Sequence, residues 1–398
     1  MIRDIAMTKK TVILRSPVLT ESGYGVHARQ VARWLFDLAD KTGNIDVVTE
    51  PLSWGQTPWL VDVHAHDGLV GRLVQAAGKR ERYDVSLQLQ LPNEWNPFLA
   101  DYNVGITAGV ESDVCNPAWI PAINRMDLVI VPSEFVKSVF TNTGEIKTNI
   151  VVIPEAFIDA VAKPELPELE LQLPTNFNFL VFGQITGNNP ENDRKNLFYT
   201  VKWLAEQFKD NPDVGVVIKT NTGRQTVVDR VRTTNMLAQL TMEVKKGAEF
   251  PKFYLLHGDM TDDEVAALYR HPKIKALLSP TRGEGFGLPL LEAAASGLPV
   301  MATGWSAHTE FLGKGKYVKL DYRLEQIHPS RVDNQIWMPN AKWANVKEDD
   351  FKHRVKKFAE SPQMPQQWAK ELSETLKREY SFEAISARYT EVLKEVLG

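Results

Sequence analysis

A single cysteine, Cys115, stands in 398 residues. No disulfide can form within the chain, and a reducing compartment, the cytoplasm, is the natural expectation. Long apolar runs are missing too. None approaches the roughly 20 residues that a membrane-crossing helix needs, and the polar start Met1–Lys10 lacks the apolar stretch of a signal peptide. The first half is short of positive charge. Residues 1–164 carry 15 Lys and Arg against 19 Asp and Glu, a net of −4, whereas the remainder carries 31 of each. Such a half is poorly suited to a phosphate backbone or an anionic lipid surface, both of which reward clustered cations, although a local basic patch stays compatible with it. Short internal repeats and low-complexity tracts are absent, and composition is that of an ordinary globular protein, 43% hydrophobic and 24% charged. The length is generous for one core and comfortable for two.

What is present is a regular alternation. Lys10–Ser16 reads as a buried strand, followed by the turn Ser22-Gly-Tyr-Gly25 and a helix with Val31, Trp34, Leu35 and Leu38 on one face. Further strands are expected at Ile45–Thr49, Tyr83–Leu89, Asn103–Thr107, Leu128–Val131 (before a helix capped by Ser133) and Val151–Ile153. Lys163–Pro174 is proline-spaced and acidic, which suits a linker. The alternation then restarts with strands at Asn178–Phe182, Val214–Lys219, Phe253–Leu256 and Ala276–Leu278. Helices are expected over Leu197–Phe208, about Arg224 to Lys246, and after the N-cap Thr261 with its acidic first turn. Two such runs predict two doubly wound α/β domains. The expected division is 1–164, a linker at 165–175, 176–380, and a terminal helix at 381–398.

The most informative stretch is Ser279-Pro-Thr-Arg-Gly-Glu-Gly-Phe-Gly-Leu-Pro-Leu-Leu-Glu-Ala-Ala-Ala-Ser-Gly-Leu-Pro-Val300. Glu284 and Glu292 bracket a glycine-rich turn that runs into a short helix. Pro289 suits the first helical turn and Gly297 the position just past the end. Gly283, Gly285 and Gly287 let backbone N–H groups approach a ligand, and the helix start adds partial positive charge for an anion or a sugar oxygen. A glycine turn merely capping a core helix would read the same way in part.

The whole string Glu-Gly-Phe-Gly-Leu-Pro-Leu-Leu-Glu-Ala, with Ser-Gly-Leu-Pro-Val after it, resembles the retaining glycosyltransferases of family 4 with the GT-B fold. That resemblance implies two Rossmann-like domains facing across a cleft, and a terminal helix crossing back to the first. It also implies transfer of a hexose from a nucleotide-diphosphate sugar, UDP favoured over GDP. Glu284 is then expected to hold sugar hydroxyls and Glu292 the ribose, with the backbone of Gly285, Phe286, Gly287 and Leu288 near the diphosphate. In Phe182-Gly-Gln-Ile-Thr-Gly-Asn-Asn-Pro-Glu-Asn-Asp-Arg-Lys-Asn196, Gly183 and Lys195 match the family's pattern. Gln184 stands where the family has arginine, and Arg194 is the candidate to supply that charge. Two cations at a helix start oppose its dipole, so an anion should offset them, unless they form a plain solvated end.

Elsewhere Gly23 and Gly25 match the family's first glycine turn. His27 is either a phosphate contact or an ordinary first-turn histidine. Glu111 stands near the place where the family commonly puts a histidine facing the transferred sugar. Lys219 faces the diphosphate or snorkels from a strand end. Gly258 and Asp259 match the place where the base is read, and Trp305 falls in the loop after the next strand. Trp54, Trp59, Trp95 and Trp119 are numerous for one half, fit to stack on sugars or bases, though each alone is more often core.

No cofactor is implied, the nucleotide sugar being a substrate. The chain lacks Asp-X-Asp, the diphosphate–metal motif of the other major glycosyltransferase fold. Asp62-Val-His-Ala-His66 has the alternation by which one strand face can hold a metal, but a polar strand face is the favoured reading. The expected acceptor is a saccharide or small-molecule hydroxyl. Hydroxylated bases of DNA are a less favoured acceptor, and a sugar-nucleotide epimerase or a silent sugar-binding protein are the rival readings.

Overall fold

The computed structural model describes residues 9–220 and 223–398, so most of the polar start Met1–Lys10 lies outside the described residues. The chain forms two compact units, one of residues 1–109, 116–156 and 382–398, the other of 110–115 and 157–381.

The first unit opens with β1 (Lys10–Ser16), α1 (Gly23–Thr42), β2 (Ile45–Pro51), α2 (Leu69–Gln75), β3 (Val85–Leu89) and β4 (Tyr102–Ile106). It continues with α3 (Trp119–Ile123), β5 (Leu128–Val131), α4 (Glu134–Thr143) and β6 (Ile150–Val152). The six strands form one parallel sheet in the order β2-β1-β3-β4-β5-β6. Parallel strands covered on both faces need near-continuous apolar runs, and Val12, Leu14, Leu87, Val104, Ile106 and Val129 are all fully buried. Ser133 caps α4 by accepting from Val136 N–H at 3.1 Å. At Gly25 an added Cβ would lie 1.9 Å from the Thr20 carbonyl oxygen, so this turn closes only around glycine.

The second unit contains β7 (Phe177–Phe182), α5 (Leu197–Gln207), β8 (Val214–Thr220), α6 (Val227–Lys245), β9 (Lys252–His257) and α7 (Asp262–Arg270). After these come β10 (Ile274–Ser279), α8 (Leu288–Ala295), β11 (Val300–Thr303), α9 (His308–Leu312) and β12 (Val318–Leu320). An antiparallel pair follows, β13 (Tyr322–Gln326) and β14 (Lys342–Val346), then α10 (Glu348–Glu360) and α11 (Gln363–Glu379). The main sheet is again six-stranded and parallel, ordered β12-β11-β10-β7-β8-β9. One face buries Phe179, Val216, Ile218 and Leu278 against Val201, Leu204, Phe351 and Phe358. Thr261 and Glu264 form the capping box of α7. The fold is thus α/β with two doubly wound, Rossmann-like sheets.

The last helix, α12 (Phe382–Leu397), belongs to the first unit. Tyr389 lies 3.0 Å from His27 Nε2, Trp34 donates to Thr390 at 2.9 Å, and Arg33 sits over the Phe382 ring. His27 is 2% exposed, and burial pulls its pKa down to about 3. It serves this packing as a buried ring, with Glu155 3.9 Å from its Nδ1.

Two expectations need correction. Residues 110–115, assigned to an N-terminal domain of 1–164, cluster with the second unit. The reason is local pairing: Asp113 accepts from Lys342 N–H at 2.6 Å and its own N–H donates to Lys342 O at 3.0 Å. Residues 157–164 cluster there as well, with Lys163 bound to Asp263 at 2.6 Å. The second correction concerns Asp62–His66, which is a turn and not a strand. Asp62 accepts from His64 N–H at 2.9 Å, and His66 and Asp67 take φ of 51° and 55°. The alternation that would put Asp62, His64 and His66 on one face does not exist. Among the described residues no three His, Cys, Asp or Glu side chains gather as a metal site, and no helix is long and apolar enough to cross a membrane.

Candidate functional site

In the second sheet the chain winds outward from β7 through β8 and β9, then returns to the other side of β7 for β10, β11 and β12. Sheets of this kind bind ligands at the carboxyl ends of the strands flanking such a reversal. Two loops leave the sheet there, 183–196 after β7 and 280–287 after β10. They are joined by Arg282 N–H donating to Arg194 O at 2.8 Å and by Asn196 Nδ2 donating to Pro280 O at 3.1 Å. Asn196 takes a left-handed φ of 59° and turns the chain into α5. Asp193, fully buried, caps that helix by accepting from Leu197 N–H at 2.7 Å and braces the loop through Thr186.

This junction brings together Glu284, Lys195, Arg194 and Glu111. Lys195 Nζ donates to both Glu284 oxygens, at 2.7 and 2.9 Å. Arg194 donates to Gly283 O at 2.7 Å and to Glu284 Oε2 at 3.2 Å, and its other nitrogen pairs with Glu111 at 3.2 Å. Burial alone would raise the Glu284 carboxyl; Lys195 and Arg194 outweigh it and hold the group down to about 2. Burial also pulls Lys195 below the usual lysine range, against the pull of Glu284. The side chains of Arg194 and Lys195 are 12% and 20% exposed, so they do not form a solvated helix start. Glu111 arrives through backbone packing. A Cβ on Gly283 would meet Glu111 O at 2.4 Å and the Trp305 ring at 3.1 Å.

The other expected positions fall around this centre. Gly183 lies against the Lys195 side chain, 3.5 Å from a built Cβ. Lys219 is 3% exposed and donates to Gly258 O, so it ties the end of β8 to the turn after β9 and does not snorkel. Asp259, next along, is exposed. Phe286 turns inward onto Phe311, with ring centroids 5.5 Å apart, and Leu288 is buried too. At these positions the backbone is what remains to meet a ligand. Gly287 takes φ 103°, and the start of α8 carries no side-chain cap, which leaves its dipole uncompensated. Gly23 and Gly25 belong to the first unit.

Glu292 sits on α8, 7% exposed, and accepts from Tyr269 O–H at 3.2 Å. Burial pushes its carboxyl up to about 8, helped by Asp262. Folding therefore takes up a proton between the ordinary 4.5 and about 8, and stability falls as pH rises through that window. Glu292→Gln mimics the neutral carboxyl and removes the penalty, worth up to roughly 1.4 kcal/mol per pH unit. Its melting temperature should match wild type at about pH 5 and exceed it by several degrees at about pH 8. A difference that stays constant across that range would contradict this account of Glu292.

Four participants escaped the sequence reading: Asp193, Ser306, His308 and Arg331. His308, fully buried, donates from Nε2 to Thr303 O at 2.7 Å, which leaves Nδ1 to accept from Ser306 O–H at 3.2 Å. Ser306 Oγ in turn accepts from Glu284 N–H at 2.9 Å. Burial lowers the His308 pKa and keeps the ring neutral, as this chain of bonds requires. Ser306 holds φ 82°, a strained value that glycine would take more readily, and strain of this kind gathers at functional sites. Arg331 enters from the turn between β13 and β14, donates to Thr186 O at 3.1 Å, and lies within electrostatic reach of Arg194 and Glu111. Gly-Trp-Ser-Ala-His-Thr-Glu310 carried a signal in its paired polar residues; Arg331 carried none.

The model of a family described as Family 4 Glycosyltransferase in conflict systems matches residues 148–388, more than half of the chain. Similar solved structures include HepE of Anabaena in complex with UDP and glucose, 15% identical over 97% of this chain and 100% of that one, TM-score 0.59. A glycosyltransferase of Rickettsia africae ESF-5 is 13% identical over 98% and 99%, TM-score 0.63. Sucrose-phosphate synthase of Thermosynechococcus elongatus is 13% identical over 98% and 99%, TM-score 0.60. No curated protein matches. At such identities the likeness speaks to the fold, which is that of the GT-B glycosyltransferases, while the family match spans both loops of the candidate site. The chain belongs to the family 4 glycosyltransferases of conflict systems.

Proposed function

We propose that the protein transfers a hexose from a UDP-sugar to a saccharide or small-molecule hydroxyl, with retention at the anomeric carbon and without a metal ion, in the cytoplasm. The observation that carries this reading is the buried Glu284–Lys195–Arg194 cluster at the reversal of a doubly wound sheet. Breaking a sugar–phosphate bond places negative charge on the leaving diphosphate. Lys195, Arg194 and the uncapped start of α8 are charges fixed in advance for it. Glu284, pinned by two cations and held at about 2, is neither a proton donor nor a strong nucleophile. That favours a front-face route in which the leaving phosphate takes the acceptor's proton and Glu284 orders sugar hydroxyls. A neutral Glu292 offers one donor and one acceptor to the vicinal diol of a ribose. Glu111, held by Arg194, stands as the side chain to meet the sugar or acceptor. Hydroxylated bases of DNA remain the alternative acceptor, kept in view by the family's description and disfavoured by the charge of residues 1–164.

Because protein cations take the place of a metal ion beside the diphosphate, turnover should be unchanged by a chelator. Loss of activity with EDTA, restored by Mg²⁺ or Mn²⁺, would overturn metal independence. UDP should raise the melting temperature more than GDP at equal concentration, since stabilisation follows RT ln(1 + [L]/Kd). A larger rise with GDP would reverse the choice of nucleotide.

A further inference from the structure

The hairpin β13–β14, with the turn between its strands, reaches each of the three segments that build the candidate site. Lys342 pairs with Asp113 in the segment that carries Glu111. Ala344 N–H donates to Arg282 O at 2.9 Å in the loop that carries Glu284. Arg331 Nη1 donates to Thr186 O at 3.1 Å in the loop that carries Arg194 and Lys195. Inside this insert Trp337 and Trp343 meet edge to face, ring centroids 5.6 Å apart. Each ring holds one arginine at 5.1 Å, Arg331 on Trp337 and Arg282 on Trp343.

The two arginines differ in what they have left to give. Arg282 is 3% exposed, and its terminal nitrogens are taken by Asn345 and by Pro190 O. It is a brace. Arg331 is half-buried and spends only Nη1, while Nη2 takes no protein acceptor and is open to solvent. Among the described residues no carboxylate reaches Arg331 as an ion pair. The charges that act on it most are Arg194, Glu111, Asp333 and Asp193. Each of these acids is committed elsewhere. Glu111 Oε1 pairs with Arg194 at 3.2 Å, and Asp333 accepts from the N–H groups of Gln335, Ile336 and Trp337. Asp193 accepts from Leu197 N–H and from Thr186. Lys195 and Glu284 are not in that group, so Arg331 stands on the Glu111 side of the cluster.

A guanidinium fixed beside a second cation, with no carboxylate of its own, is costly until an anion completes it. We infer that Arg331 binds an oxyanion carried by a saccharide substrate, a carboxylate or phosphate separate from the donor diphosphate, and so selects acidic over neutral sugars. Arginine suits that task because its N–H donors lie in one plane at the spacing of a carboxylate or phosphate edge. Glu111, with its side chain 26% exposed, keeps its second oxygen for a hydroxyl of the same sugar. Calling this sugar a substrate rests on the transferase reading; the binding of the oxyanion does not.

The test is saturation-transfer NMR on the full chain with UDP in excess, which fills the place of the diphosphate. Glucose is compared with glucuronic acid and glucose 6-phosphate, the case of an acidic acceptor. UDP-glucose and UDP-glucuronic acid are compared as competitors of UDP, the case of an acidic transferred sugar. In at least one of these sets an acidic member should bind several-fold better than its neutral counterpart in wild type. Arg331→Gln should abolish that preference and Arg331→Lys should keep part of it, with UDP bound equally by all three. Should Arg331→Gln fail to fold, Arg331→Met decides, since it keeps an apolar stem against Trp337. Equal binding of acidic and neutral members, or a preference that survives loss of the guanidinium, would overturn the inference. So would a loss of UDP binding in Arg331→Gln, which would put this cation at the diphosphate. A wild type that gives no UDP signal, yet shows an acidic preference lost in Arg331→Gln, would contradict the donor reading and leave this one standing.

Discussion

Glu284→Ala should lower turnover by at least about a hundredfold, the scale of losing one preorganised electrostatic contact in an active site. The structure adds a stability cost. Glu284 is 5% exposed and neutralises both Arg194 and Lys195, so removing it leaves two buried cations without their shared anion. Breaking a buried pair in this way typically costs about 3–5 kcal/mol, so this variant should melt below wild type. Glu284→Gln keeps the volume and part of the hydrogen bonding, and it should lose turnover with a smaller drop in melting temperature. Both variants should still be stabilised by UDP, because a diphosphate can pair with the freed cations. Near-native turnover in either would remove Glu284 from the donor site.

Lys195→Ala should also cost at least about a hundredfold, for a different reason. On the proposed reading it deletes a cation that meets charge appearing only as the sugar–phosphate bond breaks, so kcat should fall along with kcat/KM. Arg194 still holds Glu284 at 3.2 Å, and this variant should therefore be less destabilised than Glu284→Ala. A rise in KM with kcat unchanged would mean that Lys195 only helps to hold the donor in its ground state.

Much of the fold was legible because parallel strands buried on both faces advertise themselves as short apolar runs. Lys10–Ser16 and Leu128–Val131 fall where expected, and eight of the other strands in the two large sheets lie within two residues of their expected bounds; β11 was expected only as the strand before Trp305, without bounds, and β12 was not expected. Caps read the same way, as Ser133 and Thr261 show. The antiparallel pair β13–β14 was not legible. Its strand Tyr-Arg-Leu-Glu-Gln326 is mostly exposed, so no buried face imposes a pattern on it. Of the candidate site, the sequence supplied Glu284, Lys195 and Arg194, because glycine spacing and paired cations leave a local signature. It did not show that Glu111 packs with the second unit, since that depends on Asp113 meeting Lys342 from 229 residues away. Arg331 was hidden likewise, by a contact to Thr186 across 145 residues.

The most direct test is release of nucleoside diphosphate by the full chain, with the product's anomeric configuration read by NMR. UDP-hexoses are offered with saccharides, small alcohols or duplex DNA carrying hydroxymethylated bases. The account predicts UDP release that requires an acceptor, a product that keeps the donor's anomeric configuration, and loss of both in Lys195→Ala. Donor consumed without any acceptor, an inverted product, or no turnover of any UDP-sugar while Lys195→Ala and wild type bind UDP equally would contradict it.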